Sequence, residues 1–214
     1  MKKILLLAIF ILFYLMGCDR PEEKSTKTEN DNSTNQETVD VSSNIKNITE
    51  GNLNAKIKIE VFESLTCSHC AEFHQNIYPK LKEDFIDKGN VYIKFRNFPL
   101  DKAALNASKI AHCKNDGKSE ILHYLYKNQR QWVKGNTIEE INKNIKDVIK
   151  KSTFNINIDN CLSNIEVEDH ILEDRIEGAK KFNVDATPTL IIDGEKFKNP
   201  TNYKKLKKYL EKLI

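Results

Sequence analysis

A chain of 214 residues accommodates one domain with appendages. Its 34 Lys and Arg nearly balance 31 Asp and Glu, for a formal net charge of +3. Its lysines are scattered apart from Lys204, Lys205, Lys207 and Lys208, which fit the solvated face of a last helix, so no nucleic-acid partner is expected.

The first predicted element is a leader. Met1, Lys2 and Lys3 give a positive start, and residues 4–16 form an unbroken apolar run. A stable bilayer span needs about 20 apolar residues, so this shorter run fits the core of a signal peptide. Leu15-Met16-Gly17-Cys18 resembles the bacterial lipoprotein signal, in which removal of residues 1–17 leaves Cys18 as a lipid-modified N-terminus. An ordinary secretory peptide is the alternative, and both export the chain. Removal takes away Lys2 and Lys3 and no acid, so the net charge falls from +3 to +1. From Asp19 to Asp40 the chain is acidic and rich in Ser, Thr, Asn and Gln, with Val39 its one aliphatic residue. Such a stretch buries too little apolar surface to offset its ordering entropy, and residues 18–50 read as a disordered tether.

The folded domain is expected over residues 51–214. Residues 56–63, KIKIEVFE, alternate with period two and carry β-branched side chains, which predicts a strand. From Cys67 the period changes: Cys70, Phe73, Ile77, Leu81 and Phe85 mark one face of a helix, with Pro79 expected to kink it and Gly89 to end it. Residues 91–98 predict a second strand, closed by Pro99 and parallel to the first, because the helix between them is long enough for a crossover. Apolar spacing then predicts helices near 101–114, 118–132, 137–151 and 165–182, with a short turn of helix around 159–164. Residues 189–193 predict a strand, Asp193-Gly194 a hairpin into Lys196-Phe197, and Asn202 the cap of a final helix. The class is α/β: β-α-β, a helical insertion over about 101–182, then a β-hairpin and a helix.

Cys67-Ser68-His69-Cys70 stands at the mouth of the first helix. Its spacing alone leaves three readings open: a clamp that holds the fold, two ligands of a metal, or a pair that makes and breaks its own bond. A bridge across so tight a loop removes little chain entropy. Zinc would want a second close pair, whereas Cys113 and Cys161 are 48 apart. A copper chaperone has His69 and His74 flanking the pair, but the chain beyond residue 17 contains no methionine, a soft ligand copper(I) often uses. The redox reading alone uses the helix position. Unpaired N–H groups and partial positive charge at a helix N-terminus favour a thiolate at Cys67, while Cys70 lies a turn inside. His69 can add positive charge or a hydrogen bond to the sulfur. An exported chain meets an oxidising compartment, which permits disulfides among Cys67, Cys70, Cys113 and Cys161.

A second signal is Ala186-Thr187-Pro188-Thr189-Leu190, a proline just before a strand. Taken with SLTCSHC, FRNFPLD (95–101), AHC (111–113) and NCL (160–162), this order resembles the DsbA-like thioredoxin-fold family of protein-disulfide oxidoreductases over residues 50–214. The resemblance implies a thioredoxin fold with an inserted helical domain and an enzyme that introduces disulfides into exported proteins through Cys67 and Cys70. It implies a cis Pro188 beside the pair, a Thr187 backbone offered to substrate, and a membrane partner that reoxidises the dithiol. The periplasm is the expected location, with attachment through lipidated Cys18. No cofactor and no metal are expected. Thr187 resembles the isomerase branch more than the strongest oxidases, so isomerase or reductase is the alternative, with a copper-binding chaperone behind it. Relatives also suggest a structural Cys113–Cys161 bridge, two buried free thiols being the other reading. They often place a buried acid six residues before the first cysteine; here that position is Val61, and Glu63 is the candidate to assist Cys70, unless it is a solvated strand-end acid. His74 and His112 read as surface or core residues, and Trp132 as the anchor of the helical cap.

Overall fold

The computed structural model describes residues 44–214; the leader, Cys18 and most of the expected tether lie outside the described residues. Five strands form one sheet in the order β1-β3-β2-β4-β5. Its centre is β2 (Ile57–Glu63), parallel to β3 (Val91–Asn97) and antiparallel to β4 (Thr189–Ile192), which continues into β5 (Glu195–Phe197). The expected hairpin is in place, with Asp193 and Gly194 both at positive φ (49° and 88°), the conformation that a two-residue turn requires.

One strand was not expected. β1 (Ile48–Gly51) pairs antiparallel with β3, and Ile45 and Ile48 are buried. The stretch read as tether over 18–50 therefore ends earlier, and its last residues complete the sheet edge. Four residues with two adjacent β-formers, Ile48 and Thr49, carry too little period to be visible in the sequence.

Helix α1 follows β2 and spans residues 68–86 in alternating regular and widened turns. The widened turn Phe73–Ile77 has the Tyr78 N–H on the Phe73 carbonyl and stands just before Pro79. A proline clashes with the carbonyl four residues back, so the ladder opens there instead of breaking. Cys70, Phe73, Ile77, Leu81 and Phe85 join Ile57, Ile59 and Val61 in the main core, the face that the helical spacing marked.

The insertion comprises α2 (Lys102–Ala111), α3 (Glu120–Lys127), α4 (Gln129–Trp132), α5 (Ile138–Lys150), α6 (Ile158–Ser163) and α7 (Ile165–Phe182). The helix expected over 118–132 is two helices, broken at Asn128, whose side chain turns back to the Tyr124 carbonyl at 2.9 Å. Trp132 is fully buried and donates its indole N–H to the Leu125 carbonyl. A Cys113–Cys161 disulfide ties the end of α2 to α6. The final helix α8 (Tyr203–Leu210) is capped by Asn202 and buries Leu206 and Leu210, leaving its lysines toward solvent.

Helix α7 covers the other face of the sheet. Arg96 of β3, 4% exposed, is held by Asp174, Glu177 and Glu60, and the fully buried Phe62 ring lies under the guanidinium, 5.1 Å away. At Gly178 a Cβ would come 2.6 Å from the Phe62 ring. Replacing a helical glycine by alanine ordinarily gains about 0.5–1 kcal/mol, whereas overpacking a core costs about 1–3. With Phe62 pinned under Arg96, overpacking wins. Gly178→Ala is expected to lower stability by about 1–2 kcal/mol in urea unfolding; a gain would show that α7 is free to shift.

Candidate active site

Cys67 is the cap residue at the start of α1, at φ −73° and ψ 123°, where the chain leaves β2 and has not yet become helical. Its sulfur lies 3.4 Å from the Thr187 carbonyl, and the Thr187–Pro188 bond is cis. Residues 120 apart in sequence thus meet because β4 runs beside β2. Cys67 is half-buried, and its pKa is lowered to about 5. The leading cause is the hydrogen bond from the Cys70 thiol; burial opposes it, and the Cys70 and His69 backbone N–H groups add to it. The thiolate at Cys67 is stabilised by the helix end.

Cys70 is fully buried, and burial pushes its thiol well above the ordinary range, helped by Cys67 and by the charge of Glu63. The two sulfurs therefore differ sharply: one favours the anion, the other the neutral thiol. His69 does not take the expected side-chain role. Its ring is exposed and turns to Glu72, 3.6 Å away, and what reaches the Cys67 sulfur is its backbone N–H.

Glu63 is buried, 4% exposed. Strand alternation places it on the face of Ile57, Ile59 and Val61, under α1, which is a signal the sequence did contain. Its Oε2 lies 2.6 Å from His74 Nε2, and its Oε1 has no hydrogen-bond partner. Burial raises the Glu63 pKa well above the ordinary carboxylate value and lowers that of His74 to about 3, so His74 is a neutral imidazole at neutral pH. His74 is a core residue whose polar atoms are in use. The Tyr126 ring stacks on it at 4.0 Å. His112 sits in the core beside Asn97, with 3.1 Å between Nε2 and Nδ2.

The insertion supplies a residue that sequence reasoning missed. Gln129 is buried and donates its amide N–H groups to the carbonyls of Leu65 (2.8 Å) and Cys67 (2.9 Å), latching α4 onto the loop before α1. Asp101 does the same from α2: one oxygen caps the helix at Ala104 and the other accepts from Thr66 at 2.7 Å. Between them opens a groove of about 620 Å³ whose walls include Cys67, Leu100, Val133, Gly135, Ile138 and Ile141. Among the described residues no cluster of three or more His, Cys, Asp or Glu is arranged to hold a metal ion, and no helix is long and apolar enough to cross a membrane.

The chain is similar to known proteins in sequence and in fold. The family model described as thioredoxin matches residues 43–212. A protein of Rickettsia bellii named for a protein-disulfide oxidoreductase is 30% identical over 155 residues, covering 70% of this chain and 58% of the relative. The chain thus spans little more than half the length of that relative. Disulfide bond formation protein D of Bacillus subtilis is 27% identical, with 76% of this chain and 74% of that protein covered. In fold, the chain is similar to alpha-DsbA1 of Wolbachia pipientis, with a TM-score of 0.69, 24% identity, and coverage of 78% of this chain and 90% of that one.

The asymmetry of the two thiols is directly measurable. In the reduced protein, iodoacetamide should modify Cys67 with a rate that rises through a midpoint near pH 5 and is flat by pH 7, while Cys70 stays unmodified. Equal labelling of both, or a midpoint near the ordinary thiol value, would refute the assignment.

Proposed function

The chain belongs to the thioredoxin family, in its DsbA-like branch, and on that footing we propose that it is a thiol:disulfide oxidoreductase that passes the Cys67–Cys70 disulfide to thiols of exported proteins. The observation that carries this reading is Cys67 at the start of α1, 3.4 Å from the Thr187 carbonyl before the cis Pro188, with Cys70 fully buried one turn inside. A stabilised Cys67 thiolate stabilises the reduced pair, which makes the disulfide an oxidant.

The steps follow from the geometry. A substrate thiolate attacks the Cys67 sulfur; a substrate–Cys67 bond forms, the Cys67–Cys70 bond breaks, and Cys70 leaves with the electron pair and takes up a proton. A second substrate thiolate then attacks the substrate sulfur, and Cys67 leaves as a thiolate that needs no proton at neutral pH. Two electrons pass from substrate to the pair. In this reading an extended substrate chain pairs with the Thr187 backbone, supported by the 3.4 Å between its carbonyl and the Cys67 sulfur, and its side chains enter the groove beside Cys67.

Turnover requires an oxidant for the dithiol, and we assign that role to a membrane partner. The apolar leader and Cys18, outside the described residues, support export to the periplasm with attachment through lipidated Cys18. Thr187 before the proline keeps isomerase or reductase as the second reading.

Equilibration with glutathione separates them. A reduction potential near about −120 mV supports the oxidase; one near about −270 mV places the protein among reductases and overturns it.

A further inference from the structure

Cys67 ends the short loop 64–67 between β2 and α1. Locally the loop is closed by the Cys67 N–H on the Ser64 carbonyl at 3.0 Å. From the entry to the insertion, the Leu100 N–H donates to Ser64 Oγ at 3.2 Å, and Asp101 accepts from Thr66 at 2.7 Å. From α4 comes Gln129, 6% exposed. Its one amide nitrogen carries two hydrogens, committed to the Leu65 carbonyl at 2.8 Å and the Cys67 carbonyl at 2.9 Å. The Cys67 carbonyl also accepts the Ala71 N–H at 3.2 Å, the bond that opens α1.

We propose that Gln129 is a positioning residue that aims the first turn of α1 at the Cys67 sulfur, so that the insertion sets how strongly the pair oxidises. The proposal rests on reading Cys67–Cys70 as a redox pair. In a trans peptide the C=O and N–H of one plane point in opposite directions. Holding the Cys67 carbonyl toward Gln129 therefore fixes the direction of the Ser68 N–H, and with it the start of the helix. The His69 and Cys70 N–H groups that reach the sulfur follow from that start. Holding the Leu65 carbonyl fixes the plane two residues earlier, so the backbone is set on both sides of Thr66.

Fastening α4 does not require these two bonds. Trp132 is fully buried and donates to the Leu125 carbonyl at 2.9 Å, and Asn128 turns back to Tyr124, so α4 is anchored within the insertion. Replacing Gln129 also leaves the charges around Cys67 untouched. The titratable groups that bear on its sulfur are Cys70, Glu63 and Tyr126, and the Gln129 amide donates to none of them. His69 and Glu72 face each other on the exposed side of α1, and Asp101 is engaged by Thr66 and Ala104. What Gln129 adds is aim. Without it the helix start is looser, the thiolate is less stabilised, and the reduced pair loses its advantage over the disulfide.

The test uses the full chain and reads two quantities: the pH midpoint of Cys67 thiolate absorbance, and the equilibrium with glutathione at pH 7. Gln129→Met keeps the side chain's size and removes both donors. It should raise the midpoint from about 5 to about 6 and weaken the disulfide as an oxidant about 10-fold, or about 30 mV. Gln129→Glu, of the same size with at most one donor, should move both in the same direction, a second route if the first variant does not fold. Trp132→Phe deletes the indole bond to Leu125 and loosens α4 alone; it should lower the melting temperature and leave midpoint and equilibrium unchanged. Wild-type values in the Gln129 variants, or an equal shift in Trp132→Phe, overturn the proposal while the redox reading stands. If the wild-type pair does not exchange with glutathione at all, the redox reading itself fails, and the role of Gln129 falls with it.

Discussion

A sulfur one turn inside a helix, packed against a central strand and with no exposed surface, is stable only as a neutral thiol. Cys70 is in that position because β2 ends at Glu63 and α1 starts at Ser68, after a loop of four residues. Cys67, three residues earlier, caps the same helix, where unpaired N–H groups and the Cys70 thiol favour an anion. The chemistry follows from this pairing of one exposed helix end with one buried turn. Cys67 can be attacked and can leave without a proton; Cys70 is shielded from attack by burial and takes up a proton when it leaves.

The rest of the fold holds that arrangement in place. β4 brings the Thr187 carbonyl to the Cys67 sulfur, and the insertion reaches back twice, through Gln129 onto Leu65 and Cys67 and through Asp101 onto Thr66. The Cys113–Cys161 disulfide and the Arg96 ion cluster fasten α2, α6 and α7 to the same frame. Buried polar groups left unpaired are expensive, so each latch specifies one geometry more strictly than apolar packing would.

Much of this was legible in the sequence, where the physics is local. Period two marked β2 and β3, helical spacing marked the buried face of α1, and Asp193-Gly194 marked the hairpin. The same period places Glu63 inward with Val61, which makes a solvated strand-end acid the poorer reading. What was not legible depends on distance along the chain. β1 is too short to show a period, Asn128 breaks a helix whose apolar spacing continues, and His69 turns to Glu72 through a side-chain preference that spacing does not encode. Glu50 and His123, 73 residues apart, carry no mark of their pairing, because only the closed sheet and α3 bring them together.

The central claim is that reduction of the pair leaves one thiolate and one thiol across the neutral range. The reduction potential measured against pH tests it most directly. With the Cys67 pKa near 5 and that of Cys70 well above the ordinary thiol value, two electrons enter with one proton between about pH 6 and 8. The account predicts a fall of about 30 mV per pH unit over that range, steepening below pH 5 as Cys67 also takes a proton. A slope near 60 mV across the neutral range, two protons per pair, would contradict it, and so would a flat line.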